Sequence, residues 1–506
     1  MNHLETYLTQ LHDTRATGEA VRETSFYPAL SALLNSVGGE LKPKVKCVIN
    51  IKNRGAGIPD GGLFTAEQLR ARDAEAIANV KGFNGQMPAR GVVEVKGTKD
   101  DVRAIAASPQ VAKYLQHYGL VLVTNLREFL LVEHDDGGKA RTLEGYALAG
   151  DEREFWAASP RLLAEQHGER FAEYLQRVML SAAPLNAPES LAWFLASYAR
   201  DARGRIEQAE LESLANVRKA LEEALGLRFE GERGEAFFRS TLVQTLFYGV
   251  FSAWVLWCKS EAGRGRANKF DWRLAQWSLH VPVIRTLFEQ VVTPSNMRGL
   301  GLEEILHWTA DALNRVERAE FFKRFEEEHA VQYFYEPFLE AFDPELRKSL
   351  GVWYTPREIV AYMVERVDRV LREELSLARG LADERVYVLD PCCGTGAYLV
   401  EVLRRIKRTV DEEGADALSA NDLKEAAMNR VFGFEILPAP FVVAHMQLGL
   451  VLQQAGVPLG DDERAGVYLT NALTGWEPRK EPKPIALFPE LEQERDASHT
   501  SRVKLK

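Results

Sequence analysis

The chain has 506 residues, 46% apolar and 27% charged, which is the composition of a globular protein of roughly three domains. Its net charge of −10 excludes a polycation that coats nucleic acid indiscriminately, although a local basic cleft remains compatible with it. Cys47, Cys258, Cys392 and Cys393 show neither metal spacing nor disulfide density, no apolar run reaches the ~18 residues of a membrane span, and the first residues lack a signal-peptide core, so a cytoplasmic protein with no membrane partner is expected.

Residues 1–150 alternate helix-like and strand-like segments. "FYPALSALLNSVG" has the spacing of an amphipathic helix closed by Gly38. "KVKCVINIK" alternates like a strand, as does "ARGVVEVKG", and "LVLVTNLREFLLV" predicts a hairpin turning at Asn125. Residues 151–345 read as helical throughout. "ESLANVRKALEEALG" and "STLVQTLFYGVFSAWVLWC" carry apolar residues at helical spacing, and their Trp and Phe residues are expected in a core.

From 346 to 506 strands and helices alternate again. "RVYVLD" predicts a buried strand, "GAYLVEVLRRIKRTVDEEG" a helix ending at Gly414, and "RVFGFEI" a second strand. "PAPFVVAHMQLGLVLQQAG" predicts a helix and "GVYLTN" a third strand. Such alternation predicts a parallel sheet with right-handed crossovers. The expected fold class is thus multidomain α/β: an α/β first domain, an all-helical connector and a partial Rossmann-like sheet.

Two constellations carry chemistry. In "GAGIPDGGLF" the glycine-flanked Pro-Asp sets Asp60 at a turn beside a strand. In "GVVEVKG" Glu94 and Lys96, two apart, share one strand face. Two carboxylates and the Val95 carbonyl can hold Mg²⁺ through oxygen, with Lys96 placed to orient water and offset phosphate charge. "SPQVAKYL" sets Gln110 and Tyr114 four apart on one helix face. Taken singly, a strand with one wet face, ordinary helix surface and a solvated acid at Glu23 account for the same residues. In this order they resemble the PD-(D/E)xK nuclease superfamily with its downstream Q-xxx-Y element, over roughly residues 20–135. The resemblance makes Asp60, Glu94, Lys96, Gln110 and Tyr114 catalytic candidates, and adds Glu23, in "RETSFYPAL", to Asp60 and Glu94 as a metal-side acid.

The second is "VLDPCCGTGAYL": a strand ending at Asp390, a turn through Gly394 and Gly396, then a helix. Glycines at the carboxyl end of a strand let backbone approach a ligand. A generic turn of this kind also suits a dinucleotide, but neither G-x-G-x-x-G nor a P-loop is present. The string resembles motif I of the amino-group DNA methyltransferases, D-P-A-C-G-T-G-x-F-L, with Cys392 for Ala and Tyr398 for Phe. "GVWYTPREIVAYM" reads locally as a helix capped by Thr355 with Pro356 at its first position. It also resembles the Y-T-P segment that precedes motif I. That resemblance implies S-adenosylmethionine held by Tyr354, Thr355, Pro356, Asp390, Pro391, Gly394, Gly396, Glu435, Ile436 and Asn471. Glu435 would take the ribose hydroxyls and Asn471 the adenine edge. Cys392 and Cys393 are not assigned as nucleophiles, because methyl transfer to an exocyclic amine needs none.

Nuclease, helical connector, methyltransferase is the order of fused restriction–modification proteins of the type IIG and type ISP kind. No Walker motif intervenes, so the resemblance favours an ATP-independent, type IIG-like arrangement acting on double-stranded DNA, with adenine-N6 preferred over cytosine-N4. One departure stands out. The N-P-P-Y/F motif that such enzymes use to hold a flipped base does not occur, and the chain runs through "FPELEQERDASHTSRVKLK" where that motif's strand is due. The expectation is an amino-terminal portion, from a split or truncated gene, whose first methyltransferase strand exposes an apolar edge; a companion chain bringing that motif and a target-recognition domain is a second way to complete the sheet. The alternatives are a catalytically incomplete cofactor-binding or assembly subunit, and a stand-alone nuclease with a vestigial methylase tail.

Overall fold

The computed structural model describes residues 3–19, 23–53, 55–70, 87–135, 137–209, 228–259, 268–274, 291–327, 334–344, 355–414, 417–460 and 463–473, with isolated positions at 214–222, 285–289 and 497. Most of "ESLANVRKALEEALG", Tyr354, and all of the C-terminal stretch after 473 except Ala497 lie outside the described residues. The chain divides into two compact units, Met1–Pro184 and Leu185–Lys506.

The first unit opens with α1 (His3–Ala16) and α2 (Tyr27–Glu40). Pro28 in the first turn and buried Leu30, Leu33, Leu34 and Val37 make α2 a one-faced helix. It does not close at Gly38 as its sequence suggests. The helix runs on to Glu40, and Gly38 is needed for a different reason: a Cβ there would overlap the carbonyl of Val45 on the next strand. That strand is β1 (Val45–Ile49), followed by β2 (Gly61–Thr65), the short α3 (Ala66–Arg70) and β3 (Val92–Val95). Then come α4 (Val102–Ala106), α5 (Pro109–Tyr118), β4 (Val121–Thr124), β5 (Glu128–His134) and β6 (Ala140–Ala147).

The six strands form one sheet in sequence order, antiparallel except for the parallel pair β3–β4, whose crossover is α4–α5. The predicted hairpin is β4–β5. At its turn Leu126 has φ 73°, and the Asn125 carboxamide oxygen accepts the N–H of Glu128 at 2.7 Å. Val93, Val95, Leu122 and Phe129 face α1 and α2, while Val92, Val121 and Val123 face α4 and α5, so the sheet is covered on both sides. The helices α6 (Glu152–Ala157) and α7 (Pro160–Leu180) join this unit, α7 packing on α1, α2 and β6. The sequence segmentation had placed them beyond residue 150.

The second unit begins with α8 (Pro188–Gln208), α9 (Gly231–Lys259), α10 (Pro294–Leu300), α11 (Glu303–Asn314), α12 (Arg318–Glu327) and α13 (Glu336–Phe342). Within α9, Gly234–Lys259 is long and apolar enough to cross a membrane, yet 89% of its most apolar stretch is buried inside the protein, as in a core helix. The sequence count found no span there because Gln244, Thr245 and Ser252 interrupt the apolar run. The remainder alternates: α14 (Arg357–Glu373), β7 (Val388–Asp390), α15 (Ala397–Gly414), α16 (Ala417–Asn429), β8 (Val431–Glu435), α17 (Pro438–Gln454) and β9 (Val467–Leu469). Its three strands are parallel in the order β7-β8-β9, and α17 packs against both α9 and α15.

Thr355 does not cap α14. Pro356, with ψ 138°, is itself the capping residue, the helix begins at Arg357, and no side chain bonds its first turn. Among the described residues β7 has a paired strand on one side only. Leu389 on β7 and Tyr387 just before it are 39% and 48% exposed, and Ile359, Tyr362, Met363 and Val367 line an exposed stripe of α14 beside buried Val360 and Val364.

Candidate functional site

In the first unit, Asp60 ends the loop entering β2 and Glu94 lies on β3. Gly61 pairs with Val93, so Asp60 and Glu94 stand opposite each other on adjacent strands, and Asn50 continues the row on β1 through its N–H to the Asp60 carbonyl at 2.7 Å. Both Asp60 carboxylate oxygens are held. The Tyr27 hydroxyl donates to Oδ1 at 2.6 Å, and the Val95 N–H donates to Oδ2 at 2.8 Å. Tyr27 was not singled out from sequence. Its signal was present in "FYPAL", one turn beyond Glu23, but nothing local tells a hydrogen-bonding tyrosine from a core one.

Glu94 is almost fully buried. Lys96 Nζ donates to Glu94 Oε1 at 2.6 Å and to the Val95 carbonyl at 2.9 Å, while its distance to the Glu23 carboxylate is 3.8 Å. Gln110 Nε2 donates to Tyr114 Oη at 2.9 Å and lies 3.4 Å from Glu94 Oε2. Ser108 caps α5 by accepting the Val111 N–H, and Pro109 opens the helix; this fixes Gln110 in the first turn and Tyr114 one turn on. Burial raises the Glu94 pKa to about 7; Lys96 opposes the rise, and the Asp60 and Glu23 charges add to it.

Glu94, Lys96, Gln110 and Tyr114 therefore form one hydrogen-bonded group, and Asp60 joins it through the Val95 backbone, whose N–H it accepts and whose carbonyl accepts from Lys96. Glu23 borders it without completing a three-acid set, and among the described residues no three His, Cys, Asp or Glu side chains converge as metal ligands. The cation test is instead met by Lys96, whose ammonium rests on Glu94 Oε1 and the Val95 carbonyl, two of the oxygens expected to hold Mg²⁺. Two carboxylates and a carbonyl suit a hard cation that keeps several waters.

In the second unit, Asp390, Glu435 and Leu469–Asn471 lie at the carboxyl ends of three parallel strands, where open α/β sheets take ligands. Asp390 Oδ1 accepts the Cys392 N–H at 3.2 Å, and burial raises the Asp390 pKa. Gly394 (φ 55°) and Gly396 (φ 87°) turn the chain into α15. A Cβ on Gly394 would meet no atom within 4 Å, so open space lies over the turn, whereas one on Gly396 would lie 3.1 Å from the Ala444 Cβ.

Glu435 is 9% exposed, and its Oε1 accepts the N–H groups of Ile436 and Leu437, each at 2.8 Å. Burial raises its pKa while those N–H groups pull it down. Asn471 Oδ1 accepts the Leu473 N–H at 3.0 Å. Pro391 is exposed in the turn, and Thr355 and Pro356 precede α14, which meets α15 where the Tyr398 hydroxyl donates to Met363 Sδ at 3.1 Å. The open space at Gly394 and the acid at the next strand end fit a nucleoside cofactor. The sequence did not single out Gly433, on β8. It leaves room for Cys393 and Leu399, whose side chains would crowd a Cβ there at 2.9 and 2.6 Å.

Residues 326–457 match the family described as N-6 DNA Methylase. The chain is 27% identical over 95 residues to the type II restriction enzyme and methyltransferase RM.BcgI of Heyndrickxia coagulans, a stretch covering 19% of this chain and 12% of that protein. Among solved structures, it resembles one chain of the DrdV–DNA complex, with 17% identity and a TM-score of 0.41 over 99% of this chain and 42% of that one. It also resembles a nuclease-deletion mutant of the type ISP restriction–modification enzyme LlaGI bound to a DNA substrate mimic, with 15% identity and a TM-score of 0.42 over 69% of this chain and 28% of that one. The chain thus spans less than half the length of each of these relatives.

Proposed function

We propose that the chain belongs to a DNA restriction–modification enzyme. In this reading the first unit is a PD-(D/E)xK nuclease that cuts double-stranded DNA with Mg²⁺. Residues from about 346 onward form the cofactor half of an adenine-N6 DNA methyltransferase. The observation that carries the nuclease is the gathering of Glu94, Lys96, Gln110 and Tyr114 in one hydrogen-bonded group with Asp60 tied to it through the Val95 backbone. The match of residues 326–457 to the N-6 DNA Methylase family carries the methyltransferase.

At the nuclease site, bound Mg²⁺ would polarise the scissile phosphodiester and acidify a water. The protein's part is positional. Tyr27 and the Val95 N–H fix both Asp60 oxygens, and each oxygen keeps a lone pair to offer a cation. Gln110, set by Tyr114, steadies the far oxygen of Glu94. Lys96 leaves Glu94 to orient the attacking water and to offset charge on the phosphate.

At the second site, S-adenosylmethionine would supply the methyl group. Gly394 admits it over the turn, Glu435 accepts from its ribose hydroxyls, and Asn471 with Asp390 borders it. Ile436, through its N–H, keeps the Glu435 carboxylate at the strand end. Among the described residues β7 is paired on one side only, which favours one addition to this reading: a companion chain lays a further strand there and brings the N-P-P-Y/F motif and target-recognition domain.

Two substitutions test the two halves. Asp60→Ala is expected to lower Mg²⁺-dependent nicking of plasmid DNA at least ~100-fold, since it removes both a ligand and its orienting bonds. Undiminished cutting would remove the nuclease assignment. Asp390→Ala is expected to abolish S-adenosylmethionine binding measured by calorimetry, and intact binding would remove the cofactor assignment.

A further inference from the structure

Residues 41–59, which lead into Asp60, hold Lys42, Lys44, Lys46, Lys52 and Arg54 and no acidic side chain, in a chain of net charge −10. Arg54 lies outside the described residues. The four lysines are exposed, and none has an acidic partner within ion-pair distance among the described residues. They straddle β1, which among the described residues is an edge strand paired only with β2. On β1, Val45 and Cys47 are buried toward α2, whereas Lys46 and Val48 point out on the other face.

Register connects that outer face to the carboxylates. Lys46 pairs with Phe64, Val48 with Gly62, and Gly62 with Val92. Side chains two apart share a face, so Lys46, Val48 and Glu94 lie on one side of the sheet, with Lys44 just before β1 and Asp60 at the strand end opposite Glu94. Lys46 is four residues from Asn50, which stands in the Asp60–Glu94 row. At ~3.3 Å per residue the separation is about 13 Å, close to four base-pair steps of a duplex at ~3.4 Å each. Lysines on an edge strand also discourage edge-to-edge association. That device calls for charge on the strand itself. It accounts neither for Lys42 and Lys52, which flank β1, nor for the exclusion of every acid from 41–59.

We propose that β1 and its flanks form a phosphate-tracking ridge that seats the backbone of duplex DNA beside the Asp60–Glu94 group; this rests on the nuclease reading above. Ammonium groups contact phosphates as point charges, so the ridge sets register on the duplex without reading sequence.

The test is binding of a DNA duplex to the full chain in EDTA, measured against salt concentration. Removing one phosphate contact lowers the slope of log K against log salt by ~0.9. Lys44→Gln/Lys46→Gln is therefore expected to reduce the slope by about 2 and to weaken binding at least ~10-fold near physiological salt, while Lys139→Gln, on the distant β5–β6 turn, leaves the slope unchanged. A double variant with the parent's slope overturns the ridge, as does a parent that fails to bind duplex DNA. So does a double variant whose only change is aggregation seen by light scattering. Because these measurements omit metal, they are independent of cutting: loss of the nuclease reading would show instead as a parent that never nicks DNA with Mg²⁺.

Discussion

Glu94 is the residue on which the proposed chemistry turns. Burial raises its pKa to about 7, the neighbouring acids add to the rise, and Lys96 opposes it. A raised carboxyl pKa means the folded state holds the proton more tightly than the unfolded chain does. This group's contribution to stability is therefore largest at low pH and declines as pH rises from the usual carboxyl range toward 7. Metal binding runs the other way, because only the carboxylate is a ligand. Mg²⁺ affinity is expected to rise about tenfold per pH unit below 7 and to level off above it, read by calorimetry between pH 5.5 and 8.5. A flat profile would mean that Glu94 is not a ligand. The sequence made Glu94 and Lys96 legible because period-two spacing alone puts them on one face. Tyr27 was illegible: its role depends on a helix meeting a loop 33 residues later, a contact that no local pattern encodes.

Elements were legible where periodicity was strong and illegible where glycine or polar residues masked it. The segments of β1, β3, β4 and β5 stood out as alternating or apolar runs. β2 did not, because "GGLFT" begins with two glycines and reads as a continuation of the turn at Asp60. The second glycine is structural: a Cβ on Gly62 would press on Pro88 at 2.9 Å, whereas one on Gly61 would make ordinary contact with Val93 at 3.4 Å. Gly38 teaches the same lesson from the helix side. It looked like a helix terminator, which is glycine's commoner use. Instead it sits inside α2 and lets β1 approach. Gly38→Ala adds a methyl where the Val45 carbonyl stands, so α2 and β1 must separate, and overpacking of this kind costs about 1–3 kcal/mol. Thermal unfolding should show a Tm several degrees lower. An unchanged or raised Tm, the result expected if Gly38 were merely a poor helix former, would show that the close approach is not required.

At the scale of the molecule, the sheet β7-β8-β9 presents the cofactor-side residues while leaving β7 open among the described residues. Leu389 on that strand and Tyr387 just before it are both exposed, and the stripe Ile359, Tyr362, Met363, Val367 recurs at helical spacing on α14, so two neighbouring segments of one unit expose apolar side chains. Isolated exposed apolar residues are ordinary, but ordered stripes are not. The proposed site accounts for the asymmetry: Asp390, Glu435 and Asn471 gather at strand ends that need no further strand to hold a nucleoside, whereas the N-P-P-Y/F motif that grips a target base's exocyclic amine does not occur in the sequence. Binding and transfer should therefore separate. The chain alone is expected to bind S-adenosylmethionine and yet move no labelled methyl group to duplex DNA, and transfer should begin when a polypeptide carrying an N-P-P-Y/F strand is supplied. Leu389→Asp should block that rescue, by placing a charge where the new strand must pair, while leaving cofactor binding as before. Turnover by the unaccompanied chain would overturn the companion, because the base-gripping groups would then have to lie within these 506 residues.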